Sequence, residues 1–361
     1  MTFTQVKRWL GPRLSGMHAT RLRTLSAVVF GFLSSARLGV AGIAGGIAGA
    51  TARRHKRKRV DRFLGNVGFD VTETMKMLAL EAWSKFGRLV VAVDWVELRN
   101  NFTAIVAAVT TGKGRALPIA WSVEKRHKAH RSQNCLEEGF LTLIASLLPF
   151  PEWITIVADR GFGRAALFGF VDSLGMGYVV RVRGRVHVQC RSYSGLLEEY
   201  PLKEGETVDL GQVVYREDGI AKTRLVLHWS RGAAEPVFLA TNLAVGARRV
   251  VKTYAERMQE EESFRDMKSH RYGFALRYPK LTKADRYEQM LVVWAVGMWL
   301  FFAQGAAAVS LGKHLGLSTA TNTKRDLSLV NIGALLIRSA IGGVPTLMQA
   351  MADFVAHRRW G

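Results

Sequence analysis

Cysteine is nearly absent from this chain of 361 residues: only Cys135 and Cys190 are present. Two distant thiols make neither a disulfide framework nor a zinc quartet, and they read as inert packing residues. No histidine cluster takes their place. His127 and His130 stand i, i+3 inside a run of Lys and Arg and read as basic-loop residues rather than ligands. Acidic residues are also scarce, 29 Asp and Glu against 51 Lys and Arg, which leaves a formal net charge of +22. That excess points to a polyanionic partner, nucleic acid before an anionic membrane. With so little cysteine a reducing cytoplasm is the expected compartment, and the N-terminus reads as a poor signal peptide, with no compact apolar core leading to a small-residue cleavage site. Internal repeats and long disordered tracts are missing as well.

Long apolar runs are few. Residues 291–311 (LVVWAVGMWLFFAQGAAAVSL) reach membrane-spanning length, and 25–50 are apolar and Gly-rich, with Gly42/Gly46 and Gly45/Gly49 at small-xxx-small spacing. Arg37 and two serines interrupt the earlier run and Gln304 the later one, so both are expected as buried helices and no membrane partner is expected.

What is present begins with helices over 1–50, then TARRHKRKRVDR (51–62), a basic run on a helix ending near Phe63 and Leu64. Its Arg53, Arg54, Lys56, Arg57, Lys58 and Arg59 are candidate DNA-backbone contacts. Helical spacing returns over 71–87. Three β-branched runs follow at 88–96, 102–110 and 115–123, punctuated by Gly112 and Gly114: a strand meander. A basic loop comes next, with Lys125, Arg126, Lys128 and Arg131 as further candidate DNA contacts, then a helix at 135–148 and a buried strand at 153–159. A helix is expected over 160–175 and a strand over 178–186. The middle thus reads β-β-β-α-β-α-β. Short alternating runs continue to about 243, helix returns from Ala247 to about Ser269, and the remainder reads helical.

The carboxylates carry the chemistry. Asp94 lies inside the apolar strand LVVAVDWVEL, where an unpaired charge is costly, and Asp159 ends ITIVAD. Either alone fits a strand-end residue capping the next turn, and Glu97 and Glu152 read as exposed bystanders. Residues 254–268, YAERMQEEESFRDMK, supply a third acid. At roughly 100° per residue, Tyr254, Arg257, Glu261 and Lys268 fall near 0°, 300°, 340° and 320°, one narrow helix face. Glu260 and Glu262 fall near 240° and 80° on the same roughly calculated wheel, off that face. Three hard carboxylates suit two Mg²⁺ or Mn²⁺ ions about 4 Å apart, which activate a nucleophile and stabilise a leaving oxygen.

These residues carry a resemblance. Asp94 in VDW, Asp159 in ADRGF and the Tyr254-x2-Arg257-x3-Glu261-x6-Lys268 spacing resemble the DDE transposases of bacterial insertion sequences, in particular the IS-four superfamily. FLATNL (238–243), RDLSLVNIG (325–333) and the basic segment leading into RFLGN (62–66) look like that group too. The resemblance implies an α/β fold with a ribonuclease-H-like catalytic core, a mostly-β insertion, and helical N- and C-terminal regions. Divided on that basis, 1–87 would be a helical basic DNA-binding region, 88–177 the first part of the core, 178–246 the insertion, 247–310 the completion of the core and 311–361 a C-terminal helical region.

The resemblance further implies Asp94, Asp159 and Glu261 as metal ligands and Tyr254, Arg257 and Lys268 as phosphate-binding groups. Its partners would be double-stranded DNA, both the element's terminal inverted repeats and the target, and a second copy of the chain in a homodimeric synaptic complex, in a bacterial cytoplasm at the nucleoid. The implied reaction is metal-dependent cleavage and strand transfer, cut-and-paste through a hairpin. One departure concerns the base-stacking Trp of some members, whose place falls at Val237. Phe238 and Trp229 are the neighbouring aromatics, and sheet packing is the expected role of both. The alternatives are a nuclease that cuts without transposing, a DNA-binding relative without catalysis, and a basic membrane protein.

Overall fold

The computed structural model describes residues 1–125, 132–217, 219–268, 274, 276, 281–315, 317, 325 and 327–339. Arg126, His127, Lys128, His130 and Arg131 of the basic loop lie outside the described residues.

Five helices precede the first strand: α1 Phe3–Arg13, α2 Ala19–Ser35, α3 Val40–Gly46, α4 Arg53–Leu64 and α5 Val71–Phe86. The glycines of the early apolar run let α2 and α3 touch backbone to backbone. A Cβ on Gly46 would stand 2.1 Å from the Gly31 carbonyl oxygen, and one on Gly31 would stand 2.4 Å from that of Ile43. The two helices meet at a 93° bend. The basic run forms α4, which anchors itself through Val60, Phe63 and Leu64 near its C-terminal end.

The meander takes shape as β1 Leu89–Glu97, β2 Phe102–Val109 and β3 Leu117–Lys125, paired antiparallel. After α6 Gln133–Ser146, β4 Ile154–Ala158 pairs in parallel with β1. The helix expected over 160–175 is split: a short 3-10 turn at Arg160–Phe162 precedes α7 Ala165–Ser173. The side chain of Asp159 caps that turn by accepting the Gly161 N–H at 2.8 Å. Strand β5, Gly177–Val182, lies parallel to β4.

The strands that follow are β6 His187–Gln189, β7 Ser194–Leu196, β8 Thr207–Arg216, β9 Ile220–His228 and β10 Val237–Thr241. They extend the same sheet, because β10 returns antiparallel against β5. Among the described residues the order is β3-β2-β1-β4-β5-β10-β9-β8-β6-β7. The molecule is therefore a mixed α/β protein with one large sheet.

Strand alternation sorts the sheet's two sides. Val90, Val157, Val179, Val226 and Leu239 pack against Val250 of α8 (Ala247–Ala255) in a separate small core. On the opposite side, Tyr178, Leu225 and Phe238 belong to the main core, which also takes in α6 and α7 residues such as Phe140 and Phe168. The chain then runs through α9 Met258–Lys268, α10 Ala284–Ser310 and α11 Leu329–Ser339. Of the apolar window in α10, 94% is buried inside the protein, against α2, α11 and β3. By length and composition alone the same helix could cross a membrane.

The cysteines divide. Cys190 is half-buried and packs against the main core, as expected, whereas Cys135 is exposed. Cys135 lies in the first turn of α6, where its N–H is capped by Ser132 and its side chain faces away from the Phe140 and Ile144 stripe.

Candidate active site

Parallel pairing brings the first two carboxylates together. In the β1–β4 register Val93 pairs with Ala158, so the next residues, Asp94 and Asp159, stand side by side at a strand spacing of about 4.8 Å. Asp94 shares alternation with Val90, and Asp159 shares it with Val157, both of the core under α8. The two acids thus face the side that α8 covers. Asp94 is 23% exposed and accepts the Trp95 N–H at 2.7 Å. Burial, then the charge of Asp159, pushes its carboxyl up to about 6. The Trp95 N–H and Arg257 oppose that rise, and Glu261 adds to it.

The stretch 254–268 is a broken helix. α8 ends at Ala255, Glu256 and Arg257 form a turn, and α9 starts at Met258. Through the break the backbone bonds tighten to i→i+3: Arg257 N–H to Tyr254, Gln259 N–H to Glu256 and Glu260 N–H to Arg257, at 3.0, 3.1 and 2.9 Å. Such bonds close a turn in about three residues rather than 3.6. The cause is the β2–β3 turn lying against it. Thr110 Oγ1 donates to Glu256 at 2.6 Å, and the Thr111 and Gly112 N–H groups donate to Gln259 Oε1 at 3.0 and 3.1 Å. Gly112 has φ +66°, a conformation that favours glycine and lets consecutive N–H groups converge on one acceptor. Farther along α9, Ser263 Oγ donates to the Ala116 carbonyl at 2.9 Å and Arg115 pairs with Asp266 at 2.7 Å.

The break sets Arg257 over the acids. Its guanidinium reaches Asp94 at 3.2 Å and also bonds Glu261, one turn on. Its Cζ stands 5.9 Å from the centre of the Tyr254 ring. Glu261 is 42% exposed, so the cluster opens to solvent on its side. Lys268 is half-buried at the end of α9, roughly 10 Å along the axis from Glu261 at 1.5 Å per residue. It belongs to the same helix as Glu261 but to a different point along its axis.

Glu260 was not singled out by the helical wheel, yet it is fully buried, with neither carboxyl oxygen hydrogen-bonded. Burial, then the charge of Asp94, pushes its carboxyl well above the usual range. The signal for its burial is in the sequence. Glu260 stands four and seven residues before Phe264 and Met267, on their apolar stripe. Glu256 and Gln259, which hold the break, carry no such signal, since their partners lie about 148 residues away.

Among the described residues no three His, Cys, Asp or Glu side chains converge tightly enough to enclose a metal ion. The surroundings nonetheless fit one. Asp94, Asp159 and Glu261 are hard oxygen donors of the kind Mg²⁺ and Mn²⁺ take, Arg257 occupies the space between two of them as a cation, and an orphaned carboxyl lies underneath.

The basic candidates are divided. Arg53, Arg54, Arg57 and Lys58 are exposed on α4. Lys56 turns inward, its Nζ donating to the Ile47 carbonyl at 2.6 Å. Arg59 is half-buried, and burial and the neighbouring Arg23 lower its pKa. Lys125 is exposed at the end of β3. The aromatics pack. Phe238 is 6% exposed within the sheet, and Trp229 is half-buried with its indole N–H on the Ala233 carbonyl at 2.9 Å.

Among curated proteins no sequence matches the chain closely enough to stand as a relative. A family model does match: that of the transposase DDE domain, over residues 86–293. The span runs from the end of α5 into α10 and contains Asp94, Asp159 and the whole of α8 and α9. The chain belongs to the transposase DDE domain family and is a transposase, a protein whose family implies DNA as its partner.

Proposed function

We propose that this transposase is a member of the IS-four superfamily, with Asp94, Asp159 and Glu261 as its metal-binding triad and Tyr254, Arg257 and Lys268 as its phosphate grip. The observation that carries the reading is the guanidinium of Arg257, held over Asp94 and Glu261 beside Asp159 by a helix break. The β-β-β-α-β-α-β run with carboxylates on adjacent strands supports a ribonuclease-H-like core, and the strands from 178 to 246 are read as its insertion.

Divalent ions, when bound, supply an activated hydroxyl nucleophile and stabilise the leaving oxygen. The chain's own groups do the rest. Asp94 and Asp159, on rigid neighbouring strands, fix where the scissile phosphate must lie. Arg257 offers a planar fork to its nonbridging oxygens once released from the carboxylates, and Lys268 holds a phosphate farther along. Glu261, on the solvent side, closes the cluster. The first step in this scheme is hydrolysis at the element's end. The freed 3′-hydroxyl then attacks the opposite strand to give a hairpin, which is reopened, and finally joins target DNA. Each step is an in-line displacement at phosphorus, so one site serves all. The exposed cations of α4 would hold flanking DNA, and a homodimer would pair two ends in the bacterial cytoplasm.

The test uses the full chain, Mn²⁺ or Mg²⁺, and a linear DNA carrying the inverted repeats that flank the gene. The expected products are hairpin-ended breaks and joints to a supplied plasmid, all lost in Asp94→Asn, Asp159→Asn and Glu261→Gln with DNA binding retained. Undiminished cleavage in those three variants would overturn the triad. Cleavage without joints would make the protein a nuclease.

A further inference from the structure

Glu260 heads the buried stripe of α9 that continues through Ser263, Phe264 and Met267. It is 0% exposed, and neither oxygen has a hydrogen-bond partner. A buried carboxyl in this condition is costly unless something compensates it. Buried acids elsewhere in this chain are compensated: Glu137, also 0% exposed, accepts from Trp95, Gln133 and Arg164. Arg257 reaches Glu260 through its charge alone and gives it no hydrogen bond, because its terminal nitrogens go to Asp94 and Glu261 and its Nε is itself buried without a partner. The position is not remote from the chemistry. Glu260 N–H bonds the backbone of Arg257 at 2.9 Å, one turn from the guanidinium on Asp94. The charges of Asp94, Glu261 and Asp159 all reach its carboxyl, opposed in part by that of Arg257.

We propose that Glu260 is a fourth carboxylate of the divalent-cation site, reaching the ion from the buried side of α9 while Glu261 reaches it from the solvent side. The inference rests on the metal reading of Asp94, Asp159 and Glu261. With a cation held at Asp94, Arg257 would be freed from that carboxylate and the Glu260 carboxylate would gain the partner it lacks. The consecutive helical glutamates, one buried and one exposed, would then both serve as oxygen donors.

The experiment titrates the intact, metal-free chain with Mn²⁺ alone and reads free Mn²⁺ by electron paramagnetic resonance, with thermal unfolding in EDTA as the check on folding. Glu260→Gln keeps the shape and removes the charge. It is expected to weaken Mn²⁺ binding at least about tenfold while melting at or above the temperature of the unaltered chain. Glu260→Asp, which keeps a carboxylate, is expected to bind Mn²⁺ more tightly than Glu260→Gln. If Glu260→Gln binds as the unaltered chain does while Asp94→Asn loses binding, Glu260 is a core residue and the inference falls, with the metal reading intact. If the unaltered chain takes up no Mn²⁺, or Asp94→Asn and Asp159→Asn leave uptake unchanged, the metal reading itself falls and takes the inference with it.

Discussion

Two buried carboxylates stand on opposite sides of β1. On one side Trp95 points to Glu137, whose Oε1 accepts the indole N–H at 3.0 Å and the Gln133 amide at 2.9 Å and whose Oε2 binds Arg164. On the other, one residue earlier in the strand, Asp94 looks toward Glu260, whose oxygens accept nothing. Both glutamates are fully buried. The difference lies in whether the fold supplies hydrogen-bond partners. A buried acid with its partners supplied holds α6 to the chain around Arg164, and breaking it exposes the cost of an unpaired charge. A buried acid without partners, beside an Asp raised to about 6, describes a place where the fold gathers carboxyl groups without supplying hydrogen-bond partners for all of them. Arg257 balances part of their charge, and its removal or displacement changes the balance.

The largest effect expected on the functional side is on catalysis. Asp94→Asn, Asp159→Asn and Glu261→Gln should each lower cleavage of terminal-repeat DNA by about a thousandfold or more. A double variant should lose little beyond the single ones, because the three act as a unit. Additive losses in gel-based cleavage assays would break the grouping. The largest effect on the structural side is on stability. Arg164→Ala should cost about 3–5 kcal/mol by leaving Glu137 buried and unpaired, measured by denaturant unfolding. A loss under about 1 kcal/mol, the size of a surface pair, would erase the contrast.

The same measurement on Asp94→Asn should go the other way. Because the folded pKa of Asp94 lies near 6, above an unfolded value of about 3.9, the native state binds the extra proton between these limits. The Asp94 contribution to metal-free stability therefore falls as pH rises from about 4 to about 6 and is level above, a total of about 2–3 kcal/mol at roughly 1.4 per unit. Asp94→Asn should remove that share of the slope and be the more stable protein above pH 6, with the two converging near pH 4. A flat profile in the unaltered chain would show that Asp94 is not strained. For the same reason Mn²⁺ affinity should rise as pH passes through about 6, as the proton competing at Asp94 leaves.

The smallest effects sharpen how the turn positions the site. Gln259→Ala removes the acceptor of the Thr111 and Gly112 N–H groups. It should cost about 1–2 kcal/mol of stability and lower cleavage more than its stability loss explains, because Arg257 and Glu261 lose their fixed placement. Arg257→Ala should reduce the slope of log DNA affinity against log salt by about 1, the loss of one phosphate contact.

Local pattern was enough for much of this. Alternation in LVVAVDWVEL and ITIVAD marks strands because a half-buried strand repeats every two residues, and both acids stand out there because charge is expensive in such runs. The basic run of α4 and the buried α10 were legible for the same reason, hydrophobic spacing. Tyr254, Arg257, Glu261 and Lys268 were legible as a spaced set. The split of α8 from α9 was not, since helical propensity runs unbroken through 254–268. Thr110, Thr111 and Gly112 impose the break from more than 140 residues away.

By itself, then, the sequence determined which residue types could do the chemistry and on which elements they ride, because periodicity and charge are local properties. Tertiary structure decided the rest. It set Asp94 beside Asp159 through a parallel strand register, turned Arg257 onto the acids through a contact between distant turns, and left Glu260 buried without a partner. Each of these depends on groups far apart in the chain meeting across the fold, and no local spacing records such a meeting.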